Sequence, residues 1–119
     1  WEIRCSACAD LIDRTGIELG ALPVCEKCGG LMRPNVVWFG EFLPESAMEQ
    51  ASVAAGSCEV FLIVGTSSLV YPAAGLAHLA KSKNAQVIEV NLEPTPTSEF
   101  ATVSLFGKSG QLLPQLFSP

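Results

Sequence analysis

Four of the five cysteines fall in two Cys-x-x-Cys pairs, Cys5-Ser6-Ala7-Cys8 and Cys25-Glu26-Lys27-Cys28, with sixteen residues between them. A Cys-x-x-Cys turn places two thiolates on one side of a tight knuckle. Two knuckles then present four sulfurs as a tetrahedron, the arrangement Zn²⁺ takes. Four protein sulfurs leave no coordination position open, so such an ion is structural, not catalytic. The competing reading, two disulfide-forming or redox pairs, lacks the βαβ context that a thioredoxin-type motif needs. Zinc ligation is the expectation for Cys5, Cys8, Cys25 and Cys28, and with it a cytoplasmic setting. Cys58 stands outside this spacing and reads as a small buried residue.

The second place where residue types suggest chemistry is Gly65-Thr66-Ser67-Ser68, which follows the apolar run Val60-Phe61-Leu62-Ile63-Val64. That run reads as a strand buried on both faces of a parallel sheet. A strand, a small-residue loop and a helix opening at Pro72 make a common ligand seat. Backbone N–H groups and hydroxyls there can meet phosphate or ribose oxygens, although many βα turns are rich in Gly and Ser for steric reasons alone. One helix later, Gln86-Val87-Ile88-Glu89-Val90-Asn91 reads as the next strand, ending in Asn91-Leu92-Glu93. A polar group at that place can hold a ribose hydroxyl, or it can merely cap a turn.

Two further features are weighed against these. Asn35-Val36-Val37-Trp38-Phe39-Gly40-Glu41 is a short apolar and aromatic run. It reads as a buried strand or core plug, or as an extended edge that pairs with a peptide, Gly40 permitting close approach. His78, the single histidine, shares a helical face with Lys81 and Ser82 and is expected in solvent, without a catalytic role.

The elements that must position these residues follow in order. Leu11, Ile12, Ile17 and Leu19 offer a mini-core between the knuckles, in a loop with short strands. Helices are expected from Pro44 to about Gly56, from Pro72 to about Lys83, and from Gln111 to Phe117, with a last strand over Phe100–Phe106. Residues 1–34 then form a small zinc-binding lobe and 35–119 a partial nucleotide-binding domain. Apolar residues make up 49% of the 119 and charged ones 16%, which fits a folded chain and excludes a disordered one. A formal charge of −5 argues against a nucleic-acid or anionic-membrane partner. No apolar run is long enough for a membrane span.

Taken in order, the two Cys-x-x-Cys pairs, Arg33-Pro34-Asn35-Val36-Val37-Trp38-Phe39-Gly40-Glu41, Gly65-Thr66-Ser67-Ser68-Leu69-Val70-Tyr71-Pro72-Ala73 and Asn91-Leu92-Glu93 resemble the C-terminal part of a sirtuin. The resemblance covers essentially the whole chain. It implies an α/β fold, namely the C-terminal portion of a Rossmann-like parallel sheet with a small four-cysteine zinc-ribbon lobe. It also implies an NAD-dependent protein-lysine deacylase, which transfers the acyl group to NAD and releases nicotinamide. Position by position, Cys5, Cys8, Cys25 and Cys28 match the structural zinc ligands, and Gly65, Thr66 and Ser67 the loop that holds ribose and phosphates of NAD. Asn91, Leu92 and Glu93 match the adenosine-ribose segment, and Ser109 the residue beside adenine. Val36, Val37, Trp38, Phe39, Gly40 and Glu41 match the wall of the acyl-lysine channel and one edge of the substrate grip, and Tyr71 the opposite edge. Trp38 is similar to the residue found in the desuccinylase-like branch.

The departures are as informative. The family's Gly-Ala-Gly NAD loop, its Gln-Asn-Ile-Asp segment and its catalytic His-Gly precede the zinc module, and this sequence contains none of them. His78 does not match the catalytic histidine, so no catalytic residue is assigned and the chain is expected to be inactive alone. The sheet is expected to show an unpaired edge and exposed apolar surface. The rival reading is a non-catalytic zinc-ribbon binding module on an α/β scaffold. Against it, Arg4, Arg14, Lys27 and Arg33 are balanced by Glu2, Asp10, Asp13, Glu18 and Glu26.

Overall fold

A computed structural model describes residues 1–117. The chain divides into two compact units, Trp1–Phe42 and the part from Leu43 onward, a few residues past the 34/35 division read from sequence.

The first unit is built on a three-stranded antiparallel sheet of β1 (Glu2–Cys5), β2 (Leu11–Asp13) and β3 (Met32–Pro34), in the order β2-β1-β3. Ile3 pairs with Ile12 on one side and Pro34 on the other, and Cys5 with Met32. Ile3, Cys5, Cys25 and Met32 form the core, with Ile12 and Leu19 packed against it. Two cysteines are therefore half of this small core. Leu11 and Ile17, expected in the mini-core, are instead about half exposed. Alternation along β2 turns Leu11 to the face opposite Ile12.

The second unit is a parallel sheet of β4 (Val60–Val64), β5 (Gln86–Asn91) and β6 (Val103–Phe106), in that order. Helix α1 (Glu45–Ser57) packs on α2 (Gly75–Ser82), and α2 packs on β4 and β5. The interface is small-residue: Ala55, Ala80 and Ala85 are buried together, flanked by Cys58, Phe61, Leu76 and Leu79. Ile63, Ala77 and Val87 make the adjoining core beneath Phe61, Phe100 and Ala101. Helix α2 ends on Asn84 at φ +67°, with Asn84 N–H bonded to Lys81 O and Ala85 N–H to Ala80 O. This is a Schellman stop in which Asn takes the place usually given to Gly. Helix α3 (Ser109–Phe117) follows β6.

Three expectations are corrected here. β4 is not buried on both faces: Ile63 is buried, but Val60, Leu62 and Val64 are more than a third exposed. Exposure alternates along the strand: the face carrying Phe61 and Ile63 packs with Ala77 of α2, and the face carrying Val60, Leu62 and Val64 is left open. Pro72 lies in a turn three residues before α2, joined to Tyr71 by a cis bond, and does not open the helix. Phe100 closes a short 3₁₀ helix, Pro96–Glu99, so the last strand begins only at Val103. No helix among the described residues is long and apolar enough to cross a membrane.

Candidate functional site

The two knuckles share one backbone hydrogen-bond pattern. Cys5 N–H bonds Asp10 O and Ala9 N–H bonds Cys5 O; Cys25 N–H bonds Gly30 O and Gly29 N–H bonds Cys25 O. In each, the residue after the second cysteine takes positive φ: Ala9 at +59° and Gly29 at +72°. A Cβ on Gly30 would lie 2.8 Å from Ala7 Cβ and 3.2 Å from Cys5 Sγ, so close packing of the knuckles requires glycine there.

The turns bring four sulfurs together. The Sγ atoms of Cys5, Cys8, Cys25 and Cys28 all lie within 4.8 Å of one another. Cys5 Sγ to Cys28 Sγ is 3.5 Å and Cys8 Sγ to Cys25 Sγ is 3.8 Å. A tetrahedron with Zn–S bonds of ~2.3 Å has S–S edges of about 3.8 Å. A disulfide needs about 2.05 Å. The donor set fits Zn²⁺, and the disulfide reading falls. Backbone N–H groups of Cys8 and Ala7 point at Cys5 Sγ, each at 3.4 Å, and pull its thiol down to about 6. Cys8 is drawn down by the Asp10 N–H, but the neighbouring sulfurs of Cys28, Cys5 and Cys25 prevail and push it up to about 12. Four thiolates this close need a cation to coexist.

The nucleotide-type residues meet at the carboxyl ends of the parallel strands. A cavity of ≈ 280 Å³ is lined by Gly65, Val90, Asn91, Leu92, Gly107, Lys108, Ser109 and Gly110, residues at or just past the ends of β4, β5 and β6. Gly65 at φ +62° turns the chain off β4 while its N–H bonds Val90 O at 2.9 Å. Asn91 Nδ2 donates to Thr66 O at 2.7 Å, and Asn91 Oδ1 accepts from Leu92 N–H at 2.9 Å. Gly107 N–H bonds Asn91 O at 2.8 Å, bringing in the end of β6. Thus Gly65, Asn91, Leu92 and Ser109 share one cavity, and Thr66 is tied to it through Asn91. Thr66 lines instead a second cavity of ≈ 260 Å³ against the exposed side of β4, with Ser68, Val70 and Ala73. Ser67 and Glu93 are exposed and line neither cavity. Sequence reasoning missed Lys108, which sits at the cavity where α3 begins; its position beside Ser109 was the available signal.

The 35–41 run is neither a strand nor a core plug. It is an irregular exposed turn, with Phe39 92% exposed and Val36, Val37 and Trp38 about half so. Arg33 organises it: Nη2 pairs with Glu41 Oε1 at 2.8 Å, Nη1 donates to Val36 O at 3.1 Å, and the guanidinium lies 4.4 Å over the Trp38 ring. Glu41 Oε2 also accepts from Trp38 N–H at 3.1 Å. Gly40, at φ +90°, lets the chain fold back on itself. Tyr71, exposed, belongs to the second unit. His78 is exposed as expected, with its ring stacked on Phe100 at 4.2 Å.

Comparison with known proteins agrees with this arrangement. The Sir2 family model matches residues 1–72. The chain belongs to the Sir2 family. NAD-dependent protein deacylase 2 of Pyrobaculum aerophilum is 44% identical over 118 residues, covering 98% of this chain and 47% of that protein. An NAD-dependent protein deacylase of Mycobacterium tuberculosis is 47% identical over 123 residues, covering 98% and 51%. The Sir2 chain therefore spans about half the length of the curated relatives it matches. Among solved structures, a Sir2 homologue–NAD complex superimposes with a TM-score of 0.88 at 37% identity, over 97% of this chain and 45% of that one. Sir2Tm bound to a propionylated peptide gives 0.83 at 28% identity, over 97% and 50%.

Proposed function

We propose that residues 1–34 are the zinc lobe and 35–119 part of the cofactor domain of an NAD-dependent protein-lysine deacylase. The observation that carries this is the cavity where Gly65, Asn91, Leu92 and Ser109 meet at the carboxyl ends of three parallel strands. In open α/β sheets nucleotides bind there. The names of the relatives and the NAD-bound Sir2 homologue support the same reading.

Within it, Gly65 makes the turn that lets Thr66 and Ser67 offer N–H groups and hydroxyls to ribose and phosphate oxygens, and Asn91 with Glu93 takes the adenosine-ribose hydroxyls. Ser109 stands beside the adenine. The turn Val36–Glu41 contacts the acyl-lysine peptide. NAD, when bound, supplies the electrophilic ribose and accepts the acyl group. The four cysteines hold zinc and stiffen the lobe, and a closed four-sulfur set keeps the metal out of the chemistry. Two Cys-x-x-Cys pairs read as zinc ligands and not as disulfides favour a reducing, cytoplasmic setting. His78 packs on Phe100 and is not assigned as base, so residues 1–119 alone are expected to bind zinc without turning over.

The test measures nicotinamide release from NAD by the full gene product, with and without acetyl- or succinyl-lysine peptide. Release is expected only when both are present. Turnover by residues 1–119 alone overturns the missing-base argument. No peptide-dependent release from the full product overturns the deacylase reading in favour of a zinc-ribbon binding module.

A further inference from the structure

Glu89, in the middle of β5, is completely buried, and no lysine or arginine pairs with it among the described residues. Its carboxylate is met by hydroxyls instead. Oε1 accepts from Thr95 Oγ1, and Oε2 accepts from Ser98 Oγ at 2.5 Å and Ser104 Oγ at 3.0 Å. The hydroxyls of Thr95 and Ser98 are also acceptors, from Thr97 N–H at 3.2 Å and Thr95 N–H at 2.9 Å. Each of these two hydroxyls accepts one backbone N–H and has its single proton left to donate to Glu89. With the Ser104 hydroxyl, three donors surround the carboxyl, a setting that favours its ionised, acceptor-only form. Burial pushes the Glu89 carboxyl up, and the hydroxyls of Ser98, Thr95 and Ser104 outweigh it and hold it below the usual carboxylate range.

What this carboxylate holds is the segment that leaves its own strand. The chain exits β5 at Asn91, arches through Leu92, Glu93 and Pro94, and returns at Thr95. Thr95 and Ser98 form the capping box of the 3₁₀ helix Pro96–Glu99. The near foot of the arch is fixed by the Asn91 bonds to Thr66 and Gly107, the far foot by Glu89. Between the feet lie Leu92, which lines the cavity, and Glu93.

We propose that Glu89 is a positioning residue for the nucleotide: its buried carboxylate fixes the 91–95 arch, and so the placement of Asn91 and Glu93, without touching the ligand. The inference rests on the cavity being the NAD seat. In the full gene product, Glu89→Gln is compared with Val87→Ala, a buried change on the same strand that faces Ile63 and Ala77. Both are expected to lower Tm. Calorimetric titration with ADP-ribose well below either Tm is expected to show about tenfold weaker binding for Glu89→Gln, and a change within about twofold for Val87→Ala. Without ligand, amide exchange across residues 92–99 is expected to rise about tenfold in Glu89→Gln only. Ser98→Ala is expected to reproduce part of the loss alone and to add nothing in the Glu89→Gln background; it decides the comparison if Glu89→Gln does not fold. Unchanged ADP-ribose affinity in Glu89→Gln, with faster exchange or without it, overturns the proposal. A wild type that binds no ADP-ribose overturns the cofactor reading, and this inference with it. The exchange data then separate a tether that exists from a tether that does not.

Discussion

Asn91 Nδ2 donates to the carbonyl of Thr66 at 2.7 Å and so joins the end of β5 to the loop that follows β4. The two segments singled out for cofactor contact are thereby one hydrogen-bonded unit. Asn91→Asp keeps the shape but sets a carboxylate oxygen against the Thr66 carbonyl, losing the donor. Such a loss costs about 1–3 kcal/mol where the partner is left unpaired. ADP-ribose affinity of the full product is expected to fall about tenfold or more, as read by calorimetry. Unchanged affinity would show that the tie does not shape the seat.

Metal removal is expected to act on one unit only. Cys5 and Cys25 are members of the Ile3–Met32 core, so taking the ion away leaves four crowded thiols, two of them inside the lobe's own packing. Elemental analysis is expected to find one zinc per chain. Chelation should abolish the near-ultraviolet signal of Trp1 and Trp38 while far-ultraviolet helix signal from α1–α3 persists. Cys25→Ser should behave as the chelated protein. A chain that holds its tertiary signal with no zinc would contradict a structural role.

The matched knuckles give a prediction of the opposite sign. Ala9 sits at φ +59°, where its counterpart Gly29 is at +72°. An L-residue with a Cβ pays roughly 1 kcal/mol for that conformation, and glycine does not. Ala9→Gly is therefore expected to stabilise the zinc-loaded protein by about 0.5–1 kcal/mol in chemical denaturation. A destabilisation of that size would mean that Ala9 contributes packing absent from the structure.

Much of this was legible because the signals are local. A Cys-x-x-Cys turn, a strand followed by Gly-Thr-Ser, and a strand ending in Asn91 each carry their geometry in a few residues. Glu89 was not legible. It is one charge inside an otherwise apolar strand, and its partners Thr95, Ser98 and Ser104 look like ordinary loop and strand hydroxyls until the fold gathers them. The same holds for Arg33, whose role comes from a turn that periodicity read as a strand. Burial of β4 was misjudged for a related reason: an apolar run reports that a strand can be covered, not that both faces are.

The Arg33–Glu41 pair yields a pH-dependent prediction. Glu41 is held below the usual glutamate value of 4.5 by the Trp38 backbone N–H and by Arg33. A carboxylate with a depressed folded pKa stabilises above its unfolded value and loses that contribution as pH falls through the folded one. The 35–41 turn is thus expected to be unchanged from pH 5 to 8 and to open only below pH 4.5. The Glu41 side chain is 38% exposed, so screening limits what the pair adds to global stability. What it controls is shape, because the same guanidinium also holds Val36 O and lies over Trp38. Trp38 emission, measured in a Trp1→Phe background, is expected to shift in that acid range. Glu41→Gln should remove the transition and show the shifted emission already at neutral pH, with weaker acyl-lysine peptide binding in the full product. An acid transition that survives Glu41→Gln would assign it to another carboxylate.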